Sequence, residues 1–188
     1  MRLNVLVVVI LLLSATSAGA IVDLSIGAYG GMDIPVVNDE IKNGPLFGLQ
    51  GRVGFLSFLA AGAYYRSSSY GDMDGTFFEG DPDEFTSSIS GGNANSFGVD
   101  AYFGRVSGTS GLNFYLYGSI SSYRWSRDDR EDISKAAYGV GLGAEVVLPF
   151  KLGIEGRGVF RVVPTDNSGS LKSVLWFIGA NYHFGLSK

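Results

Sequence analysis

The sequence predicts an all-β fold, an eight-stranded antiparallel up-and-down transmembrane β-barrel, from three observations. Apolar residues recur with period two in eight segments of about 9–13 residues, the length of a tilted strand that crosses a bilayer. The connections between the segments alternate between long and short. The polar faces carry mainly glycine, serine and tyrosine, whereas a sheet that faces water usually carries lysine and glutamate.

Each segment places apolar side chains on one face and small or polar side chains on the other. In the sixth, Val140 and Leu142 alternate with Gly139, Gly141 and Gly143. Because successive side chains of a strand point to opposite faces, this alternation predicts a strand with two unlike surfaces. The segments are Val22–Gly30, Leu46–Phe55, Phe58–Ser67, Asn95–Arg105, Leu112–Tyr123, Ala136–Leu148, Leu152–Val162 and Ser173–Phe184.

The connections predict how the barrel is oriented. Membrane barrels have long external loops and short periplasmic turns, so an even number of strands places both termini in the periplasm. The four long connections are Met32–Pro45, Ser68–Ala94, Arg124–Lys135 and Pro164–Lys172, and the three short ones are Leu56–Ser57, Val106–Gly111 and Pro149–Lys151.

The apolar faces are expected to contact lipid rather than fill the barrel. A soluble barrel of the lipocalin type would bury this face, but aromatic residues concentrate near both ends of the segments, as they do at the two membrane interfaces. Phe55, Phe103, Tyr182 and Phe184 lie near the short turns, and Phe47, Tyr65, Phe97, Phe160 and Trp176 lie toward the long connections.

The opposite faces are then expected to fill the lumen. The inward residues include Tyr29, Tyr64, Tyr102, Tyr115, Tyr117, Tyr123, Arg52, Arg66, Asp100, Glu145, Glu155, Arg157 and Arg161. Buried charges must be paired, so Arg52 is expected at the centre of a cluster with Glu145 and Glu155, with Arg157 serving Asp100 or Glu145. These residues form either a structural filler or a gate, and the need for charge compensation favours the filler.

The N-terminus predicts a cleaved secretory signal. Arg2 is followed by a short apolar core over Leu3–Leu13, and Ala18-Gly19-Ala20 fits the small-residue pattern before a cleavage site. The apolar core is too short for a membrane-spanning helix. We therefore expect residues 1–20 to be a signal peptide and residues 21–188 to form the barrel domain.

The ordered features resemble the small eight-stranded outer-membrane β-barrels, which include the OmpA transmembrane domain and OmpX. The resemblance covers Ile21 to Phe184 and rests on the architecture and on the last segment, Val174–Phe184, which alternates apolar residues and ends in an aromatic. It implies assembly by the barrel-assembly machinery and a place in the outer membrane of a Gram-negative bacterium, among lipid and lipopolysaccharide. Here Gly185-Leu186-Ser187-Lys188 follows the terminal aromatic, which is a departure from the family pattern.

Composition excludes several kinds of chemistry. Cysteine is absent and His183 is the single histidine, so disulfides, thiolate catalysis and a multi-histidine metal site are excluded. The net charge is −4 and basic clusters are lacking, which argues against nucleic-acid binding. No cofactor is expected.

Two candidate sites have weak support. Lipid A-modifying barrels need a histidine with a serine or acid partner, and only Ser25 is a candidate partner for His183. The acidic second loop faintly resembles a calcium loop but lacks its final glutamate, so a solvated loop is expected. Its acids are Asp72, Asp74, Glu79, Asp81, Asp83 and Glu84.

Two function classes remain open, and neither is enzymatic. One is a closed, monomeric barrel that acts as a membrane scaffold or as a surface interaction protein, whose long loops contact an unknown extracellular partner. The other is a narrow channel for ions or small solutes. The width of the lumen distinguishes them, and six inward tyrosines with paired charges favour the closed barrel.

Overall fold

The structure is a computed structural model that describes residues 23–36, 42–77, 85–89, 91–106, 111–127, 130–164 and 170–185. These residues form ten strands. The predicted signal peptide lies outside these residues. The strands are β1 (Asp23–Pro35), β2 (Gly44–Leu56), β3 (Leu59–Ser69), β4 (Met73–Phe77), β5 (Phe85–Ile89), β6 (Asn93–Gly104), β7 (Gly111–Arg127), β8 (Arg130–Val147), β9 (Leu152–Pro164) and β10 (Ser170–His183).

Eight of the strands close into one barrel, in the order β1-β2-β3-β6-β7-β8-β9-β10, and every neighbouring pair is antiparallel. The seam pairs β1 with β10, with Ser25 opposite His183 and Pro35 opposite Ser173. Strands β4 and β5 form a separate two-stranded sheet. The predicted eight-stranded up-and-down barrel is therefore confirmed.

Among the described residues, no helix is long and apolar enough to cross a membrane.

Burial in the barrel is inverted relative to a soluble protein. Val140 and Leu142 are more than 60% exposed, whereas Arg52 is 2% exposed and Glu145 is fully buried. The residues of both predicted aromatic groups lie on this outward surface, with Phe55 partly shielded. An apolar belt edged by aromatics around a polar interior is the surface of a membrane barrel. The lipocalin-like alternative is wrong, because the apolar face does not fill the interior.

The strands extend further than predicted at the end of the barrel opposite the short turns, which we call the long-loop end. The connection expected over Arg124–Lys135 is wrong, since β7 continues to Arg127 and β8 begins at Arg130. Strand β1 likewise continues to Pro35, inside the expected loop Met32–Pro45. The expected loop Ser68–Ala94 contains the β4–β5 hairpin.

The extra length of β7 and β8 is explained by a second core. This core lies beyond the band of outward aromatic residues on the long-loop side. Here Tyr123 and Trp125 point inward and are buried, while Arg124 points outward and is exposed. Ile133 and Leu171 pack against the same cluster. Side chains still alternate with period two, but here the apolar ones point inward and the polar ones point outward. This arrangement is expected where the barrel wall faces water instead of lipid.

Inward glycines next to inward tyrosines let the narrow lumen close. Tyr115 lies opposite Gly143 and Tyr117 lies opposite Gly141 in the pairing of β7 with β8, and each ring covers its glycine. A Cβ atom on Gly143 would lie 2.5 Å from the Tyr115 ring. These glycines provide the space that the tyrosine rings occupy.

Substituting Gly143 with valine should lower the free energy of unfolding by about 1–3 kcal/mol, the usual cost of overpacking a filled core. Urea titration of the protein in lipid vesicles would measure this loss. Gly156→Val is the matched control, since a Cβ at Gly156 meets no atom within 4 Å. An equal loss of stability in the two variants would contradict the interpretation that the Tyr115 ring needs the space above Gly143.

Candidate functional site: the charged lumen

Arg52 is the centre of the charge network near the short-turn end. Its Nη2 lies 2.6 Å from Glu145 Oε2, and its Nη1 lies 3.1 Å from Glu155 Oε1. Glu145 and Glu155 are directly opposite each other on β8 and β9, where two like charges repel. The guanidinium reaches across from β2 and compensates both carboxylates in a space without bulk water.

Two carboxamides satisfy the remaining oxygens of these glutamates. Gln50 Nε2 donates to Glu155 Oε2 at 2.7 Å and to Asn181 Oδ1 at 2.6 Å. Asn181 Nδ2 donates to Glu145 Oε1 at 2.7 Å and to Glu155 Oε2 at 3.1 Å. The Tyr115 hydroxyl donates to Glu155 as well. Five strands are thereby joined through the interior of the barrel.

Arg157 connects this network to Asp100. Its Nη1 lies 3.5 Å from Asp100 Oδ2, and its Nε lies 3.3 Å from Glu155 Oε2. The Tyr102 hydroxyl donates to Asp100 Oδ2 at 2.9 Å and accepts from Arg157 Nη1 at 3.0 Å. The structure thus brings together Arg52, Asp100, Glu145, Glu155 and Arg157. Of the two partners considered for Arg157, it pairs with Asp100; its second carboxylate is Glu155 rather than Glu145.

His183 lies between two carboxylates below this network. Its Nδ1 is 2.6 Å from Asp23 Oδ2, and its Nε2 is 3.0 Å from Glu145 Oε1. An ionised carboxylate only accepts hydrogen bonds, so both ring nitrogens donate and the ring is an imidazolium. Ser25 lies opposite His183 across the seam, but neither nitrogen is left to accept a serine proton. Ser25 and His183 therefore do not form a pair of nucleophile and general base.

A second charge cluster, which the sequence pattern did not predict, lies at the long-loop end. Arg161 Nη2 is 2.8 Å from Asp33 Oδ2. Ser68 and Tyr70 donate hydroxyl hydrogen bonds to the same oxygen at 3.1 and 2.7 Å. Asp33 lies in the expected loop Met32–Pro45, but it is on the same inward face of β1 as Tyr29. This alternation is the sequence signal that would place Asp33 in the lumen.

Arg66 occupies the lumen between the two clusters and is 3% exposed. Its Cζ lies 4.6 Å from the centre of the Tyr64 ring and 5.4 Å from that of Phe177. Aromatic faces attract a cation, so they offset part of the cost of burying this guanidinium. With Asp23 and Asp33 included, five buried carboxylates face four arginines and one imidazolium among the described lumen residues.

The acidic second loop yields no metal site within the described part of the chain, where no group of three potential metal ligands occurs. Asp72 Oδ1 accepts a hydrogen bond from the Gly91 amide at 3.0 Å. Asp74 belongs to β4. Glu79, Asp81, Asp83 and Glu84 lie outside the described residues.

Comparison with known proteins identifies the architecture. No protein-family model and no curated protein matches the sequence. The structure of Neisserial surface protein A (NspA) matches with a TM-score of 0.64 at 12% identity, over 85% of this chain and 96% of that one. The chain has the fold of the small eight-stranded outer-membrane barrels.

Two further structures of such barrels agree with this result. The N-terminal β-barrel domain of Pseudomonas aeruginosa OprF matches with a TM-score of 0.62 at 11% identity, over 87% of this chain and 98% of that one. Ail, the attachment invasion locus protein of Yersinia pestis, matches with a TM-score of 0.50 at 18% identity, over 86% and 97%. At these identities the matches show the barrel fold alone.

Proposed function

We propose that this protein is a closed barrel of the bacterial outer membrane that acts as a scaffold and as a surface interaction protein. The observation that carries the proposal is the filled lumen. Charge networks and aromatic side chains occupy the interior from His183 near the short turns to Arg161 near the long-loop end. Side chains that bridge strands across the axis leave little room for a solute.

The outer membrane is the proposed location because the barrel has an apolar surface between two bands of outward aromatic residues. We place the short turns and both termini in the periplasm and the long-loop end outside the cell. Outer-membrane lipid and lipopolysaccharide then surround the belt, and the barrel-assembly machinery inserts the chain. The protein is proposed to be monomeric and not an enzyme.

The extended β7–β8 hairpin supports a role at the surface. Its inward side chains form a separate core with Tyr70 and Val163. This core stabilises the part of the barrel wall that extends beyond the band of outward aromatic residues. A supported wall presents its outward side chains in a fixed arrangement, and such preorganisation favours specific contact with a partner. We therefore assign partner binding to the long-loop end.

A narrow channel is the second candidate, and one observation favours it. Several buried polar atoms of the described lumen have no hydrogen-bond partner, including Gln50 Oε1, Arg52 Nε and the Tyr117 hydroxyl. Such groups are usually satisfied by ordered water. Water inside the lumen is the first requirement for an ion path.

Single-channel recording in a planar bilayer distinguishes the two functions. The closed barrel is expected to give no steady conductance above that of the bare bilayer, because the Arg52 and Arg157 networks cross the lumen. Insertion is verified in the same sample by a shift in electrophoretic mobility between folded and heated protein. Regular conductance steps from correctly inserted protein would contradict the closed barrel and support the channel.

A further inference from the structure

The ring of His183 joins three barrel strands at the short-turn end. It belongs to β10, its Nδ1 lies 2.6 Å from Asp23 Oδ2 of β1, and its Nε2 lies 3.0 Å from Glu145 Oε1 of β8. The His183 side chain is 7% exposed, and the two carboxylates are 3% exposed or less. Both contacts are therefore largely shielded from water, which strengthens the attraction between their charges.

The contact with Asp23 closes the seam where the backbone ladder ends. In the pairing of β1 with β10, the last pair at this end is Ser25 with His183. One further backbone bond follows, in which the Phe184 amide donates to the Leu24 carbonyl at 2.7 Å. Asp23 precedes both residues of β1, so its side chain extends the closure of the barrel beyond the last pair of the ladder.

Other charged groups at this end come from β2, from β9 and from the turn between β8 and β9. They are Arg52, Glu155 and Lys151. The Arg52 guanidinium is shared by Glu145 and Glu155. The Lys151 amine donates to the Phe184 carbonyl at 3.3 Å. The imidazolium of His183 is thus the cation with which Asp23 forms its ion pair.

Loss of one ring proton changes both the hydrogen bonds and the charge balance. A neutral imidazole donates from one nitrogen and accepts at the other, so it cannot donate to both carboxylates. Glu145 keeps Arg52 and Asn181 as donors, whereas Asp23 loses its ion pair. Five buried carboxylates of the described lumen then face four arginines, and burying an uncompensated charge is costly.

We propose that His183 is a pH-sensitive clasp that controls how tightly the seam closes at the short-turn end. While the ring carries both protons, it joins β1, β8 and β10. When the pH rises from neutral to alkaline and the ring loses one proton, the contact with Asp23 weakens and the ends of β1 and β10 separate more readily. This property goes beyond the proposed scaffold and surface role and does not depend on it.

NMR of the full chain folded in detergent micelles tests the protonation of the ring. His183 is the single histidine, so nitrogen-15 labelling of histidine in a chain without a histidine tag gives ring signals from one residue. The shifts of the two nitrogens are expected to show a doubly protonated ring at neutral pH and the loss of one proton as the pH is raised. A ring that is already neutral at neutral pH would overturn the proposal.

Amide hydrogen exchange measures the closure of the seam in the same samples. The Phe184 amide reports on the short-turn end, and the Val36 amide, which donates to the Lys172 carbonyl at 2.9 Å, reports on the opposite end. After correction for the intrinsic pH dependence of exchange, the protection of the Phe184 amide is expected to fall about tenfold as the ring loses its proton, the effect of losing one charge-assisted contact. The protection of the Val36 amide is expected to stay constant.

Two conservative variants connect the ring to the seam. His183→Gln cannot gain or lose a proton, and Asp23→Asn removes the carboxylate with which the ring pairs. Each is expected to remove most of the pH-dependent fall in Phe184 protection. Asp72→Asn is the matched control and is expected to keep the fall, because Asp72 is exposed and follows β3 at the long-loop end.

Three results of the exchange measurement would overturn the proposal. They are constant Phe184 protection while the ring titrates, an equal fall at Val36, and an unchanged fall in the His183 variant. If that variant does not fold, the ring titration and the exchange of the unmodified chain still decide the outcome. Conductance is not part of the measurement, so a barrel that conducts ions would contradict the closed-barrel function and leave the clasp assignment intact.

Discussion

Replacing Arg52 with alanine should lower the free energy of unfolding by about 3–5 kcal/mol, the cost of removing one partner from a buried ion pair. The substitution removes the cation that bridges Glu145 and Glu155, which lie directly opposite each other. Among the described cations, Glu155 then keeps only Arg157, and Glu145 keeps only His183. Water can enter the space that the guanidinium leaves, but it does not replace the positive charge that is lost. Urea titration in lipid vesicles would measure the loss.

Arg124→Ala is the matched control for this prediction. Arg124 pairs with Asp132 at 2.5 Å, but these side chains are 66% and 39% exposed. An exposed pair contributes little to stability, because water and salt screen both charges. Similar losses in the two variants would show that the Arg52 network is not desolvated. If the Arg52 variant conducts ions with little loss of stability, the network is a gate rather than a filler.

Replacing Val140 with arginine should cost about 2–4 kcal/mol, the penalty for a charged side chain at the lipid-facing midplane of a barrel. Val140 is 63% exposed on the outward face of β8. Its register neighbours are Gly118 and Phe160, which also point outward, so no polar group of these neighbours can pair with an introduced guanidinium.

Ser134→Arg tests whether depth in the membrane causes the effect. Ser134 is on the same strand and the same outward face as Val140. It lies opposite Arg124 in the strand register, beyond the band of outward aromatic residues. Arginine there should change the stability by less than about 1 kcal/mol, because the penalty falls to about zero near the interface. An equal penalty at both sites would contradict the proposed membrane position of the belt.

The strands of the belt could be predicted because lipid and lumen impose opposite demands on alternating side chains. The parity of Arg52, Glu145 and Glu155 along their strands placed them inside. Their similar distance from the short turns placed them at one level, where charge compensation requires that they meet. In this part of the barrel, the need to pair buried charges and the alternation of side chains predict the same arrangement.

Beyond the belt the same argument fails, because the demand on the outward face changes. At Arg124 and Trp125 the polar residue points out and the apolar residue points in, the reverse of the pattern at Val140 and Gly141. When the apolar face switches sides within one strand, the sequence pattern resembles the end of that strand, so the sequence predicts a loop here. The His183 site escaped prediction for another reason: its partners Asp23 and Glu145 come from two other strands, one of them across the seam.

The seam between β1 and β10 has a consequence for how the chain folds. Every other contact between neighbouring barrel strands joins segments that are adjacent along the chain or separated by one hairpin, whereas the seam joins Ser25 to His183. Loop-closure entropy makes contacts of such sequence separation slow to form. We therefore expect the sheet to grow hairpin by hairpin with two open edges, and the meeting of Asp23 with His183 to be the late step that removes both edges at once.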